Sequence, residues 1–254
     1  MTAVLPRISE ADVRTALDAV VDPELDEAIT DLGFVSSVSV HGVDGCDVEV
    51  HLRLPTSFCA PNFAWLMVSD ARDAVRGVPG VGRVVIELDD HHDSELINRG
   101  LAADADYRGT FGHEAEHSLD DLRATFHRKA HTAAMERALT SWVRADPNRT
   151  EDDVAAVRLC DLPAGRERDA LLDRRAALGL PLAPTSPVLL GPDGRPPSRD
   201  AVALTFRKAR SVRVSVDGNA HFCRGLLTTR YPGSDADQVF RPSIDHALPL
   251  EVLK

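Results

Sequence analysis

Between Cys46 and Leu54 the chain alternates, with Val48, Val50, Leu52 and Leu54 apolar and Glu49, His51 and Arg53 polar between them. That two-residue period predicts a strand with one buried face, and Pro55 stops its ladder. Phe34 to Val40 predicts a preceding strand, and Gly42-Val-Asp-Gly45 is a turn that would set the two antiparallel. Upstream, Ile8 to Val21 places Val13, Leu17, Val20 and Val21 on one helical face behind Ser9 as N-cap. Downstream, Leu66, Met67, Ala71, Ala74 and Val75 recur at helical spacing, and Pro61 suits the first turn of that helix. After the break at Val78-Pro-Gly-Val-Gly82, Val84, Ile86 and Leu88 alternate as a third strand. The order helix-strand-strand-helix-strand describes a small α/β (α+β) domain, here assigned to residues 1–100, followed by a helix-rich region over 101–254.

In that second region, Leu96 to His117 is acidic and punctuated by glycine, which predicts a connector with one short helix. Ser118 then caps a long helix whose broad face carries Leu119, Leu122, Phe126, Ala130, Ala133, Leu139 and Trp142, ending near Arg144. Thr150 to Leu162 fits helix and strand equally. Gly165 to Leu178 predicts a helix stopped by Gly179, and the prolines of 180–187 a stiff connector leading to a short strand at Pro187–Leu190. Ser198 can cap a helix through Lys208, after which Val212, Val214 and Val216 alternate as a strand up to a turn at Asp217-Gly218. The region is expected to serve as a partner-binding or oligomerisation module, a homo-oligomer included.

Composition narrows the function. With 254 residues and 43% hydrophobic content the chain can bury packed cores, and its net charge of -11 argues against a nucleic-acid partner. No apolar run reaches the ~20 residues of a membrane helix and the start lacks the pattern of a signal peptide, so a cytoplasmic location with no membrane partner is expected. Cysteines at 46, 59, 160 and 223 form no CxxC pair, which argues against disulfides and a structural zinc site. Metalloprotease, phosphate-loop and serine-hydrolase motifs are missing.

Chemistry enters through chain direction. A hairpin reverses the chain and a helical crossover restores it, so the start of strand one and the ends of strands two and three share an edge. That edge gathers Asp31-Leu-Gly33, the loop carrying Cys59, and Asp89-Asp-His-His92 at the carboxyl ends of parallel strands, where such sheets place function. Cys59 also precedes a helix N-terminus, a setting that favours a thiolate able to bind metal or attack electrophiles. Each feature has a plain reading as well: a buried cysteine, solvated acids between Asp22 and Gly33, a polar strand exit at His91 and His92. Cys223, beside His221, is a further reactive candidate or a structural thiol. His127 and His131 are one turn apart but interrupted by Arg128 and Lys129, which favours a solvated or interfacial pair over a metal site. The basic run Arg207 to Arg213 suits an acidic partner or simply a helix C-terminus.

Residues 9–90 resemble the iron-sulfur assembly domain of SufT and PaaD-type proteins. The resemblance rests on Asp22-Pro-Glu-Leu25, Asp31-Leu-Gly33 before a strand, Cys59-Ala-Pro61 after one, and Gly77-Val-Pro-Gly-Val81. The family's Thr-x-Pro-x-Cys-Pro pattern is altered here to Pro55-Thr-Ser-Phe-Cys-Ala-Pro61, which keeps the cysteine and changes the loop around it. The resemblance implies a role in maturing iron-sulfur or other iron proteins. Cys59 would hold iron or a cluster transiently, with Glu24, Asp31, His91 and His92 as further candidate ligands, a donor set compatible with iron or zinc. Long chains of this kind also resemble accessories of multicomponent di-iron monooxygenases, which makes such an oxygenase a candidate client. Two other readings stay open: an enzyme with Cys59 as nucleophile and His91 or His92 as base, and a non-catalytic scaffold.

Overall fold

A computed structural model describes residues 8–42, 46–112 and 119–239. The chain forms two compact units, the first taking the described residues up to Leu119 together with 219–239, the second taking 120–218. Among the described residues no helix is long and apolar enough to cross a membrane.

In the first unit, α1 (Glu10–Leu17) opens with a capping box in which Ser9 and Asp12 satisfy each other's backbone N–H groups. It ends earlier than the sequence predicts because Val21 is drawn into pairing with Ala28. The acidic segment that follows holds a two-residue ladder, β1 (Val21–Asp22) against β2 (Glu27–Ala28). Asp22 closes it by accepting from the N–H groups of Glu24 and Leu25, each at 2.9 Å.

The main sheet has the order β3 (Val35–His41), β4 (Asp47–Arg53), β5 (Val84–Asp89), with β3 antiparallel and β5 parallel to the central β4. The expected 42–45 turn includes residues 43–45, which lie outside the described ones. Register aligns Val38, Val50 and Ile86 in one row and Val35, Leu52 and Leu88 in the next, all buried, so the alternation of β4 becomes one apolar face. The crossover is α2 (Pro61–Arg76), with Ala64, Leu66, Met67, Val68, Ala71 and Val75 buried. The predicted connector holds two helices, α3 (Ser94–Ala102) and α4 (Tyr107–Phe111), and residues 113–117 lie outside the described ones. Gly100 lets these two approach, since a Cβ there would meet Thr110 Oγ1 at 2.3 Å.

The second unit is built on α5 (Leu119–Arg144), α6 (Arg166–Ala177) and the first part of α7 (Val202–Arg230). The cap expected at Ser118 lies outside the described residues. The ambiguous 150–162 stretch resolves as two 3-10 turns, Glu151–Ala155 and Leu159–Asp161. Met135, Leu139, Val157, Leu171, Leu189 and Phe206 are central to its core.

Two predicted strands are corrected. Among the described residues Pro187–Leu190 makes only an isolated bridge to Arg158, because the guanidinium of buried Arg175 takes the Pro187 and Val188 carbonyls at 2.6 and 2.8 Å. Val212 to Val216 lies inside α7. The buried positions there are Ala209, Arg213, Val216, Ala220, Arg224 and Leu227, a helical period partly written in arginine and therefore hidden from a hydrophobicity reading.

Candidate functional site

Register fixes the edge of the sheet. Arg53 pairs with Asp89 and Val35 with Leu52, so the start of β3 and the ends of β4 and β5 lie together. Pro55 then forces the chain out of the ladder into the loop that bears Cys59, and Pro61 begins α2 with no side-chain cap at Ala60.

The loop is held from several directions. Thr56 Oγ1 accepts from the Phe58 N–H at 3.2 Å and shares a hydrogen bond with Cys59 Sγ at 3.6 Å, in which either group can donate. His91 is buried, and its two ring nitrogens have fixed roles. Nδ1 accepts from the Asp93 N–H at 3.1 Å, so Nε2 carries the proton and donates to the Cys59 carbonyl at 2.8 Å. The His92 N–H donates to the Ser57 carbonyl at 2.9 Å, and its exposed ring lies 5.7 Å from that of Phe58, itself 80% exposed.

Arg230 of α7 reaches the same loop. It donates to the Leu54 carbonyl at 3.1 Å, to Ser57 Oγ at 2.8 Å and to the Asp90 carbonyl, while Tyr231 donates to Asp90 Oδ2 at 3.0 Å. Burial and that carboxylate push the Tyr231 hydroxyl up to about 12.

The acids stand beside the same helix. Glu24 Oε1 accepts from Asn219 Nδ2 at 3.3 Å, and Glu27 pairs with Arg224. Asp31 is buried, and its carbonyl accepts from the Val239 N–H at 2.9 Å and from Arg224. Burial raises Asp22 to about 6; the N–H groups of Leu25 and Glu24 pull it back, and the charges of Glu24 and Glu27 add to the rise. Cys223 is pushed up to about 12 by burial first, then by the charges of Asp22, Cys59 and Glu24, with Arg224 opposing them.

The structure thus brings Cys59, His91 and His92 to one loop, and Glu24, Asp31 and Cys223 to α7 beside it. It does not make them a chelate: among the described residues no group of three or more His, Cys, Asp and Glu side chains is arranged to hold a metal ion. His91 supports the loop through Nε2, and its Nδ1 is taken by the Asp93 N–H. His221 is exposed and, two positions before Cys223 on a helix, points about 200° away from it. Asp22, Thr56, Asn219 and Arg230 escaped the sequence reading. Asp22 and Thr56 stood inside motifs already singled out; Asn219 and Arg230 gave no local signal, because their partners lie far away in the chain.

Other candidates fall in the second unit. His127 is exposed, whereas His131 is buried and lowered to about 4, chiefly by burial and then by the charge of Arg175. In the basic run, Arg213 and Arg210 pair with the fully buried Glu136, and Arg210 also pairs with Glu151, a structural use of those charges.

A helix, a three-stranded mixed sheet and a cysteine loop at the strand ends define the class, and comparison agrees. Residues 10–86 match the family model described as iron-sulfur cluster assembly protein, and the chain belongs to that family. Over 79 residues it is 42% identical to proteins named iron-sulfur cluster carrier protein in Mycobacterium tuberculosis and Mycobacterium bovis. That covers 31% of this chain and 20% of theirs, so the chain spans about a fifth of the length of these curated relatives. An uncharacterised protein of Methanocaldococcus jannaschii is 30% identical over 94 residues, 37% of this chain and 95% of that protein. No solved structure matches.

Proposed function

We propose that this protein is an accessory factor in the maturation of iron-sulfur or other iron-containing enzymes, and that Cys59 holds iron or a cluster in transit to a client. A general role in iron-sulfur cluster handling follows from the family; the use of Cys59 is our reading. The observation that carries it is the placement of one partly exposed sulfur on a loop whose backbone is pinned by His91, His92 and Arg230. A site that must release its cargo benefits from few protein ligands, because a closed four-ligand sphere is what makes structural sites permanent. Apart from the Thr56 hydroxyl at Cys59 Sγ, the supports fall on the loop backbone and on Ser57, so the loop keeps its shape whether or not cargo is bound.

The enzyme reading is less favoured by the same geometry. A Cys-His pair needs an imidazole nitrogen facing the sulfur. The nitrogens of His91 face the Cys59 carbonyl and the Asp93 N–H instead. Phe58 gives the loop an exposed aromatic tip beside the sulfur, the residue type that anchors transient partners, and a component of a di-iron monooxygenase is the client class this reading favours.

Anaerobic titration with ferrous iron and sulfide, comparing wild type with Cys59→Ala, tests the proposal. Iron uptake and visible absorption that depend on residue 59 are expected. Equal uptake by both proteins, or uptake by neither, overturns it.

A further inference from the structure

The two edges of the main sheet end differently. At the β5 edge α3 packs alongside, and Asn98 satisfies the outward-facing groups of Leu88, accepting from its N–H at 2.9 Å and donating to its carbonyl at 3.2 Å. That side chain stands where a further strand would bond, so the edge is stopped. The opposite edge is β3, which pairs with β4 alone. Among the described residues no backbone group of residues 37–41 bonds anything outside that ladder. Nor does β3 carry the lysine, acid or proline that ordinarily guards an open edge. Its register shift lies at the start, between Val35 and Ser37, and leaves 37–41 regular. This segment is symmetric about Ser39. Ser37, Ser39 and His41 are exposed on one face, while buried Val38 and half-buried Val40 occupy the other. A reversed copy laid along it would set Val38 against Val40, Ser37 against His41 and Ser39 against itself, so apolar meets apolar and polar meets polar.

We propose that β3 is a self-association edge, at which a second copy of this chain adds antiparallel about Ser39 to give a continuous six-stranded sheet, three strands from each copy. The strand is its own complement in polarity, which is what a two-fold seam requires. For two chains that each carry a net charge of -11, an uncharged strand is also an approach along which no carboxylates are opposed. Backbone hydrogen bonds supply the attraction, and the seam covers the part of Val40 left open in one copy. Because Asn98 stops the β5 edge, addition closes at two copies instead of growing into a filament. The seam is short, so the dimer is reversible and its population follows concentration. The Cys59 loop lies with the start of β3, so antiparallel addition places the two loops at opposite ends of the seam, and the inference stands whatever Cys59 carries.

Analytical ultracentrifugation of the full chain over a concentration series should show a reversible monomer-dimer equilibrium. Ser39→Lys, at an exposed position, sets like charges opposite each other on the two-fold axis and should weaken association at least about threefold. Mixing it with Ser39→Glu protein should restore a dimer, with far-UV circular dichroism confirming that both variants are folded. Register is read by cross-linking in a chain whose four cysteines are replaced by serine. There Ser39→Cys should give a covalent dimer on mild oxidation and Ser37→Cys should not, since two copies of residue 37 would lie about 14 Å apart along the seam. A wild-type chain that stays monomeric at every concentration overturns the proposal and leaves the edge to an extended segment of another protein. A dimer indifferent to the charge at residue 39, or cross-linked equally through 37 and 39, overturns it by placing the contact elsewhere.

Discussion

Gly33 shows how one residue sets the geometry around the candidate site. Its φ is +75°, and a Cβ there would lie 2.9 Å from Gln238 Cγ. Gly33→Ala should therefore cost roughly 1–3 kcal/mol in denaturant melts, the left-handed conformation and the contact acting together. His131 makes a prediction about pH. Its folded value is lowered from 6.5 to about 4, so the neutral ring contributes stability that is present above pH 6.5. That contribution is lost as pH falls from about 6.5 through about 4, where charging a ring that is only 6% exposed must be met. The loss should approach about 3 kcal/mol. His131→Leu should flatten the dependence, as read by urea denaturation at pH 7 and pH 4.

Among the elements, those with a clean period were legible: α2 from its apolar spacing, β4 from strict alternation, α6 from its glycine boundaries. The common edge of three strands also followed from direction alone. The strand expected at Val212–Val216 failed for a physical reason. Three β-branched residues at alternate positions mimic a sheet, while the helix buries Arg213 and Arg224, whose charges find Glu136 and Glu27 only in the folded chain. Arg175 is a similar case, fully buried and bonded to the carbonyls of Pro181, Pro187 and Val188. Arg175→Met should destabilise the protein by about 3–5 kcal/mol, since it strips donors from buried carbonyls. At the cysteine loop, Arg230→Ala removes three hydrogen bonds from residues 54, 57 and 90. Faster alkylation of Cys59 than in wild type is expected, with far-UV circular dichroism unchanged; an unaltered rate would show that the loop is held without Arg230.

For the molecule as a whole, the family match covers β3, β4, the loop and the start of β5, but the support of that loop draws on residues well beyond the match. Glu24 of the Asp22-Pro-Glu-Leu25 turn and Ser57 of the Cys59 loop also bond Asn219 and Arg230 of α7, whose latter part belongs to the first unit although residues 120–218 of the second intervene in sequence. Arg230 and Ser57 stand 173 positions apart. At ribosomal speeds that interval is on the order of 10–30 seconds, during which a nascent chain carries a sulfur whose clasp has not yet been translated. Premature metal capture or oxidation of Cys59 would be a hazard of synthesis rather than of the finished protein, and chains stalled before residue 219 and kept anaerobic and metal-free should label faster at Cys59 than the full chain.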